Sequence, residues 1–187
     1  MPHGFEGFWQ HAIVLQNVLI GLLLFRNARK WVYILALILS AILLIECLLF
    51  WWFDDLLIRF TIGGLFMIYF LLASVKVYKD ILMAKEVGNE TIAAAFSGFI
   101  MLGFIGAFLF TLVELSTPNS FSNLGVGENR FQNLNYFSFV SLLTIGYGDI
   151  APLTPVAKKM AVFLGLVGNF YLTFITAIVI GKYLSDK

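Results

Sequence analysis

The sequence predicts an all-α integral membrane protein with about five transmembrane helices, plus a shorter helix and a loop between the last two. Of its 187 residues, 60% are hydrophobic and only 12% are charged. The mean hydropathy is +0.92. Apolar runs of about 18 residues or more are typical of membrane spans, and such runs make up most of this chain. A soluble domain of this length would need far more polar surface.

Five apolar segments are candidates for spanning helices. They are residues 8–25, 31–53, 56–77, 91–113 and 156–184. At about 1.5 Å per residue, the middle three are each long enough to cross a hydrocarbon core of about 30 Å. Polar residues such as Gln10, His11 and Gln16 interrupt the first segment. An interfacial or re-entrant helix is therefore an open alternative for residues 8–25.

The distribution of basic residues predicts the orientation in the membrane. Lysines and arginines cluster in residues 26–30, 76–85 and 182–187, whereas Asp54 and Asp55 lie in a loop on the opposite side. Basic loops stay on the cytoplasmic side of a membrane. We therefore expect a multi-pass protein of the cell membrane, with its C-terminus in the cytoplasm and its N-terminus outside.

The charge pattern also predicts two regions. Residues 76–90 are too polar to span, and apolar residues among their lysines favour a short amphipathic helix on the inner membrane surface. Residues 115–135 are predicted to be a polar outer loop. The division therefore lies between residues 1–90, an N-terminal membrane region of three helices with this linker, and residues 91–187.

The second region contains a short apolar segment followed by a glycine motif. Residues 136–143 are too short to cross the membrane, and they lead directly into Thr144–Asp149, which reads TIGYGD. A pore must replace the water around an ion with protein oxygens, and backbone carbonyls can do so if successive peptides point inward. Alternating glycines permit the positive φ angles that such a backbone needs. Loops of this kind, four around one axis, are the selectivity filters of potassium channels.

On these residues, the chain from 91 to 187 resembles the pore domain of the potassium-channel superfamily, in its prokaryotic form. The filter residues that this resemblance implies are Thr144, Ile145, Gly146, Tyr147 and Gly148. Thr144 would supply a carbonyl and a hydroxyl to the innermost site for K⁺, the permeant ion, and Asp149 would brace the outer end. A chain with one filter loop needs three further identical subunits to close the ring. We therefore expect four subunits around a central pore.

The last predicted helix contains candidates for gating. Gly168 lies 20 residues after Gly148, where the resemblance implies a hinge, although small residues also allow close helix packing. Gly165 is assigned to packing. Positions that recur at about helical spacing are expected to line the cavity and inner gate: Asn169, Leu172, Thr176 and Ile180. For Asn169, an interhelical hydrogen bond is an open alternative.

Two ionisable residues fall within the predicted N-terminal spans. Glu46 and Arg59 lie at similar depths in neighbouring antiparallel helices. Charged groups at such depth are costly and pair with one another, so we predict an intramembrane ion pair; a pH or voltage sensor is the alternative. A voltage-sensor helix needs several basic residues at every third position. The third span offers only Arg59 and Lys76, which predicts no steep voltage gating.

The remaining sequence excludes several other classes of function. It shows no cluster of metal-ligating residues at the required spacing, no Gly-rich phosphate loop and no basic patch for nucleic acid. We therefore expect no enzyme activity, no organic cofactor, no other metal and no nucleic-acid partner. The expected function is passive, selective K⁺ conduction by a homotetramer in contact with membrane lipid.

Two alternative functions remain. The first is a poorly conducting sensor or partner subunit, in which the N-terminal helices bind an unknown regulatory partner and the pore serves as a tetrameric frame. The second is a transporter subunit of the type that carries four filter-like repeats in one chain, which the single repeat here disfavours.

Overall fold

The computed structural model describes residues 56–84, 88–125 and 129–185, together with six helical positions between residues 34 and 45. The helices in the three longer segments are α1 (Leu56–Met83), α2 (Asn89–Ser116), α3 (Asn129–Leu142) and α4 (Pro155–Ser185). Within these described ranges the only β-type pairing is an isolated bridge between Phe121 and Pro152. The predicted all-α fold class is confirmed.

Two helices in the described part of the chain are long and apolar enough to cross a membrane. They comprise Glu90–Ser116 and Pro155–Lys182, and they agree with the predicted spans 91–113 and 156–184. The predicted third span, residues 56–77, lies within α1. Residues 8–25 and most of residues 31–53 lie outside the described residues, so the total of five spans stays a prediction.

Helix α1 extends further than hydropathy indicated. Residues 76–83 form its last turns, where the sequence predicted a separate surface helix after the span. No glycine or proline interrupts the chain between Leu65 and Val87, and an ion pair between Lys76 and Asp80 (2.5 Å) joins successive turns. Helix α1 ends at Met83, and Gly88 is the N-cap of α2.

The chain forms two compact units, Met1–Tyr69 and Phe70–Lys187, whereas the sequence analysis divided it at residue 90. The reason lies in the packing of the last turns of α1 inside the second unit. The Phe70 ring stacks on Phe104 of α2, with centroids 5.4 Å apart, and also contacts Phe108 at 5.8 Å. These aromatic contacts join the end of α1 to α2, and polarity alone gives no sign of them.

In the core of the second unit, α2, α3 and α4 all pack against one another. Three phenylalanine rings form a triangle with centroids 5.1 to 5.5 Å apart. They belong to Phe110 of α2, Phe121 of the following loop and Phe137 of α3. At Gly103, a Cβ atom would overlap the Phe139 ring of α3. Close approach of this kind requires small residues on the facing helix. The core thereby fixes the end of α3, from which the TIGYGD loop departs.

Candidate selectivity filter

The loop after α3 has an alternating backbone. Thr144, Gly146 and Gly148 have φ angles of 55°, 63° and 80°, and the residues between them do not have positive φ. The left-handed region is open to glycine at little cost but is uncommon for a threonine. The positions of Gly146 and Gly148 are therefore those at which the backbone requires glycine, and Thr144 needs a separate explanation.

Helix termination explains the conformation of Thr144. The Ile145 N–H donates to the Val140 carbonyl (3.0 Å), and the Thr144 N–H donates to the Ser141 carbonyl (3.2 Å). These are the two hydrogen bonds of a Schellman motif, whose residue after the helix adopts the left-handed conformation. Thr144 thus ends α3 and begins the loop. The carbonyl end of a helix carries partial negative charge, which favours a cation close to it.

Beyond the loop, the chain is held by an outer ladder, which we define as residues 119–123 paired with residues 149–154. The Ser122 N–H donates to the Ala151 carbonyl (2.9 Å), and the Leu153 N–H donates to the Ser120 carbonyl (2.7 Å). The Asn123 side-chain amide donates to the Asp149 carbonyl at 2.7 Å. The segment predicted only as a polar outer loop therefore holds the residues that directly follow the TIGYG sequence.

Asp149 is also held through its side chain. The Tyr136 phenol of α3 interacts with the Asp149 carboxylate. Desolvation raises the pKa of Tyr136, and the neighbouring Asp149 carboxylate raises it further. The phenol therefore stays protonated at neutral pH. Asp149 thus connects α3 to the outer ladder.

A buried carboxylate anchors the ladder to α2. Glu114 is only 6% exposed; its Oε1 accepts the Asn119 N–H at 2.9 Å and its Oε2 accepts the Ser120 N–H at 2.8 Å. The sequence analysis did not select Glu114, because it read as the polar end of an apolar span. The signal that could have found it is an acidic residue just before the turn Ser116–Ser120, whose backbone N–H groups need acceptors.

We predict that Glu114→Ala lowers the free energy of unfolding by about 2 to 3 kcal/mol, because two N–H groups lose a charged acceptor. Thermal unfolding of the detergent-solubilised protein measures this loss. Glu90→Ala is the control, since Glu90 is exposed in the first turn of α2 and its interaction with the helix dipole is worth about 0.5 kcal/mol. Equal melting temperatures for the two variants would contradict the anchoring role.

The candidates on α4 occupy two environments. Gly168 is buried against the end of α3, where an added Cβ would overlap the Leu142 side chain and lie 3.2 Å from the Leu142 carbonyl oxygen. Nothing lies within 4 Å of the corresponding position at Gly165. Of these two glycines, Gly168 is therefore the close-packed one, and its role as a hinge stays a prediction.

The predicted cavity residues share an exposed face of α4. In the single chain all four are exposed: Asn169, Leu172, Thr176 and Ile180. The spacing of three or four residues places them on one side of the helix. Glu46 lies outside the described residues, so its ion pair with Arg59 stays a prediction.

The comparisons with known proteins agree with this arrangement. Residues 98–185, which include most of α2 and all of α3, the TIGYGD loop and α4, match the family described as ion channel. Two pore potassium channel c of Oryza sativa subsp. japonica is 37% identical over 70 residues, or 33% of this chain. The aligned part spans 15% of that relative's length. No solved structure matches the chain significantly. The family match and this relative therefore support a pore domain of the potassium-channel type in residues 98–185.

Proposed function

We propose that this chain is one subunit of a homotetrameric, potassium-selective channel that conducts K⁺ passively across the cell membrane. The observation that carries the proposal is the alternation of positive φ angles at Thr144, Gly146 and Gly148. The loop with these angles begins directly after the negative end of the short helix α3, and the outer ladder holds its far end. Backbone carbonyls arranged in rings replace the hydration shell of K⁺ in filters of this type.

The exposure of the loop supports the tetramer. Every residue from Leu143 to Asp149 is exposed in the single chain, including 70% of Tyr147 and 46% of Ile145. One loop presents only one column of carbonyls, and an ion needs oxygens around its whole circumference. Four chains related by rotation close that ring. Tyr147 and Ile145 would then pack behind the filter against neighbouring chains.

The remaining roles follow from this assembly. Thr144, Ile145, Gly146 and Tyr147 supply carbonyl oxygens to K⁺, while Gly148 shapes the outer mouth. Asp149 braces the filter through Tyr136 and Asn123. The exposed face of α4 that carries Asn169 and Thr176 lines the water-filled cavity. Residues 1–90 form an N-terminal membrane region that is open to a regulatory partner, and the C-terminus is cytoplasmic. The scarcity of basic residues in α1 supports a channel without steep voltage gating.

Potassium efflux from liposomes that contain the purified tetramer tests the proposal. We expect efflux above that of protein-free liposomes when a potassium gradient and a counter-ion carrier are supplied. A well-folded tetramer without efflux would overturn the conducting role. That result would favour the alternative in which the pore is a frame for a sensor or partner subunit.

A further inference from the structure

The last turn of α4 carries a lysine that reaches the end of α1. The Lys182 Nζ donates to the carbonyl oxygens of Ile81 (3.0 Å), Leu82 (2.8 Å) and Ala84 (2.6 Å). An ammonium group has three N–H donors, and here three acceptors converge on it. We call this contact the lysine latch.

The chemistry of helix ends explains why the latch forms. The last carbonyl groups of a helix lack intrahelical donors and carry the negative end of the helix dipole. Helix α1 ends at Met83, so the three acceptors belong to its final turn and the residue after it. Charge-assisted hydrogen bonds are about twice as strong as neutral ones. Lys182 therefore supplies from α4 the donors that α1 itself cannot provide.

A second contact joins the same two helices deeper in the structure. The rings of Tyr78 on α1 and Tyr171 on α4 lie 5.4 Å apart, and the Tyr171 hydroxyl donates to the Ala95 carbonyl of α2 at 2.5 Å. Gly98 makes room for this junction, since a Cβ there would lie 2.7 Å from the Tyr171 hydroxyl. Lys182 lies 11 residues beyond Tyr171 along α4. The junction fixes the middle of α4, and the latch connects its C-terminal turn to α1.

We propose that Lys182 is a gating latch, which makes the inner end of the pore-lining helix α4 move together with the C-terminal end of α1. Displacement of α1 is then transmitted to the inner gate through an ammonium–carbonyl contact. This inference rests on the proposed function, because it assigns α4 to the conduction path. It adds a specific mechanical connection between α1 and α4. The residue that makes it, Lys182, was predicted from the sequence only to be one of the basic residues on the cytoplasmic side.

Hydrogen–deuterium exchange with Lys182→Met tests the latch itself. Methionine keeps most of the apolar side chain but removes the ammonium group. We expect exchange to accelerate by about tenfold both in the last turn of α4 and around residues 81–84, as the charge-assisted bonds are lost. Lys79→Met is the matched control, because it removes an equal charge from an exposed position on α1. Exchange in Lys182→Met that equals that of the control would overturn the latch.

Chemical rescue then tests the link to gating. In a Cys47→Ser background, Lys182→Cys can be alkylated with 2-bromoethylamine, which gives a side chain that nearly matches lysine in length and charge. Ethyl bromide gives a neutral control side chain. We expect the steady-state potassium flux of Lys182→Cys to differ from that of the Cys47→Ser parent by about tenfold. Only the aminoethyl group should restore the parental flux.

The outcomes separate the two proposals. Absence of flux in the wild-type tetramer overturns the proposed function, whereas the exchange experiment still decides whether the latch exists. Faster exchange with unchanged flux overturns the gating role of Lys182. Restoration of flux by the neutral ethyl group would overturn the role of the ammonium charge.

Discussion

Replacing Gly146 with alanine is expected to reduce potassium flux by at least about a hundredfold. Gly146 has a φ angle of 63°, a region that costs an L-residue about 1 to 2 kcal/mol. No described atom of the chain lies within 4 Å of the Cβ position, so within one subunit the effect comes from the backbone and not from a clash. An alanine relieves the strain by returning to negative φ, which turns the adjoining peptide groups. Each kcal/mol lowers the population of the conducting loop conformation by a factor of about five. Because all four subunits carry the substitution, these factors multiply and the flux falls further.

Potassium efflux from liposomes measures this effect, and the tetramer fraction must be checked on the same sample. Gly64→Ala provides the control, since Gly64 lies in the helical backbone of α1 and no described residue lies within 4 Å of its Cβ position. We expect that control to conduct like the wild type. Wild-type flux in Gly146→Ala would show that the positive φ at this position is not needed for conduction.

Replacing Gly168 with alanine is expected to lower the free energy of unfolding by about 1 to 3 kcal/mol, the usual cost of overpacking a well-packed core. The added methyl group would overlap the Leu142 side chain and lie 3.2 Å from its carbonyl oxygen. Leu142 is fully buried, so it has little room to move. Since Leu142 is the last residue of α3, the strain would fall directly behind the filter. Thermal unfolding in detergent measures the loss.

Gly165→Ala, one turn earlier on the same helix, serves as the control because nothing lies within 4 Å of that position in the chain. The pair also separates packing from a hinge. A packing role lowers the melting temperature of Gly168→Ala below that of Gly165→Ala. A hinge role without packing would leave both melting temperatures equal and change only the flux. That second result would contradict our account of the contact with Leu142.

The sequence predicted the spanning helices α2 and α4 well, because lipid imposes a long apolar run on any helix that crosses it. It also predicted positive φ angles in the TIGYGD loop, since Gly146 and Gly148 mark positions where other residues are strained. Hydropathy placed the start of α3 at residue 136 instead of Asn129. Residues 129–135 are mostly polar, and of their two apolar members Leu134 is buried whereas Phe131 is exposed. A mean hydropathy over the segment conceals the buried position.

Contacts between distant segments could not be predicted in the same way. The outer ladder pairs residues 119–123 with residues 149–154 through short polar stretches that have no periodic pattern. The ammonium group of Lys182 binds backbone carbonyl groups about 100 residues earlier in the chain. These partners become apparent only when the fold brings the segments together. The sequence therefore indicates the filter itself better than it indicates the contacts that support it.

The reversal potential with potassium on one side of a planar bilayer and sodium on the other tests the central claim most directly. The account predicts a large reversal potential with the sign for potassium permeation, because rings of backbone carbonyls from Thr144 to Tyr147 favour K⁺ over Na⁺. The same recording on Gly146→Ala should show little current. A wild-type reversal potential near zero would mean equal permeation of the two ions, and it would contradict the assignment of a potassium-selective filter.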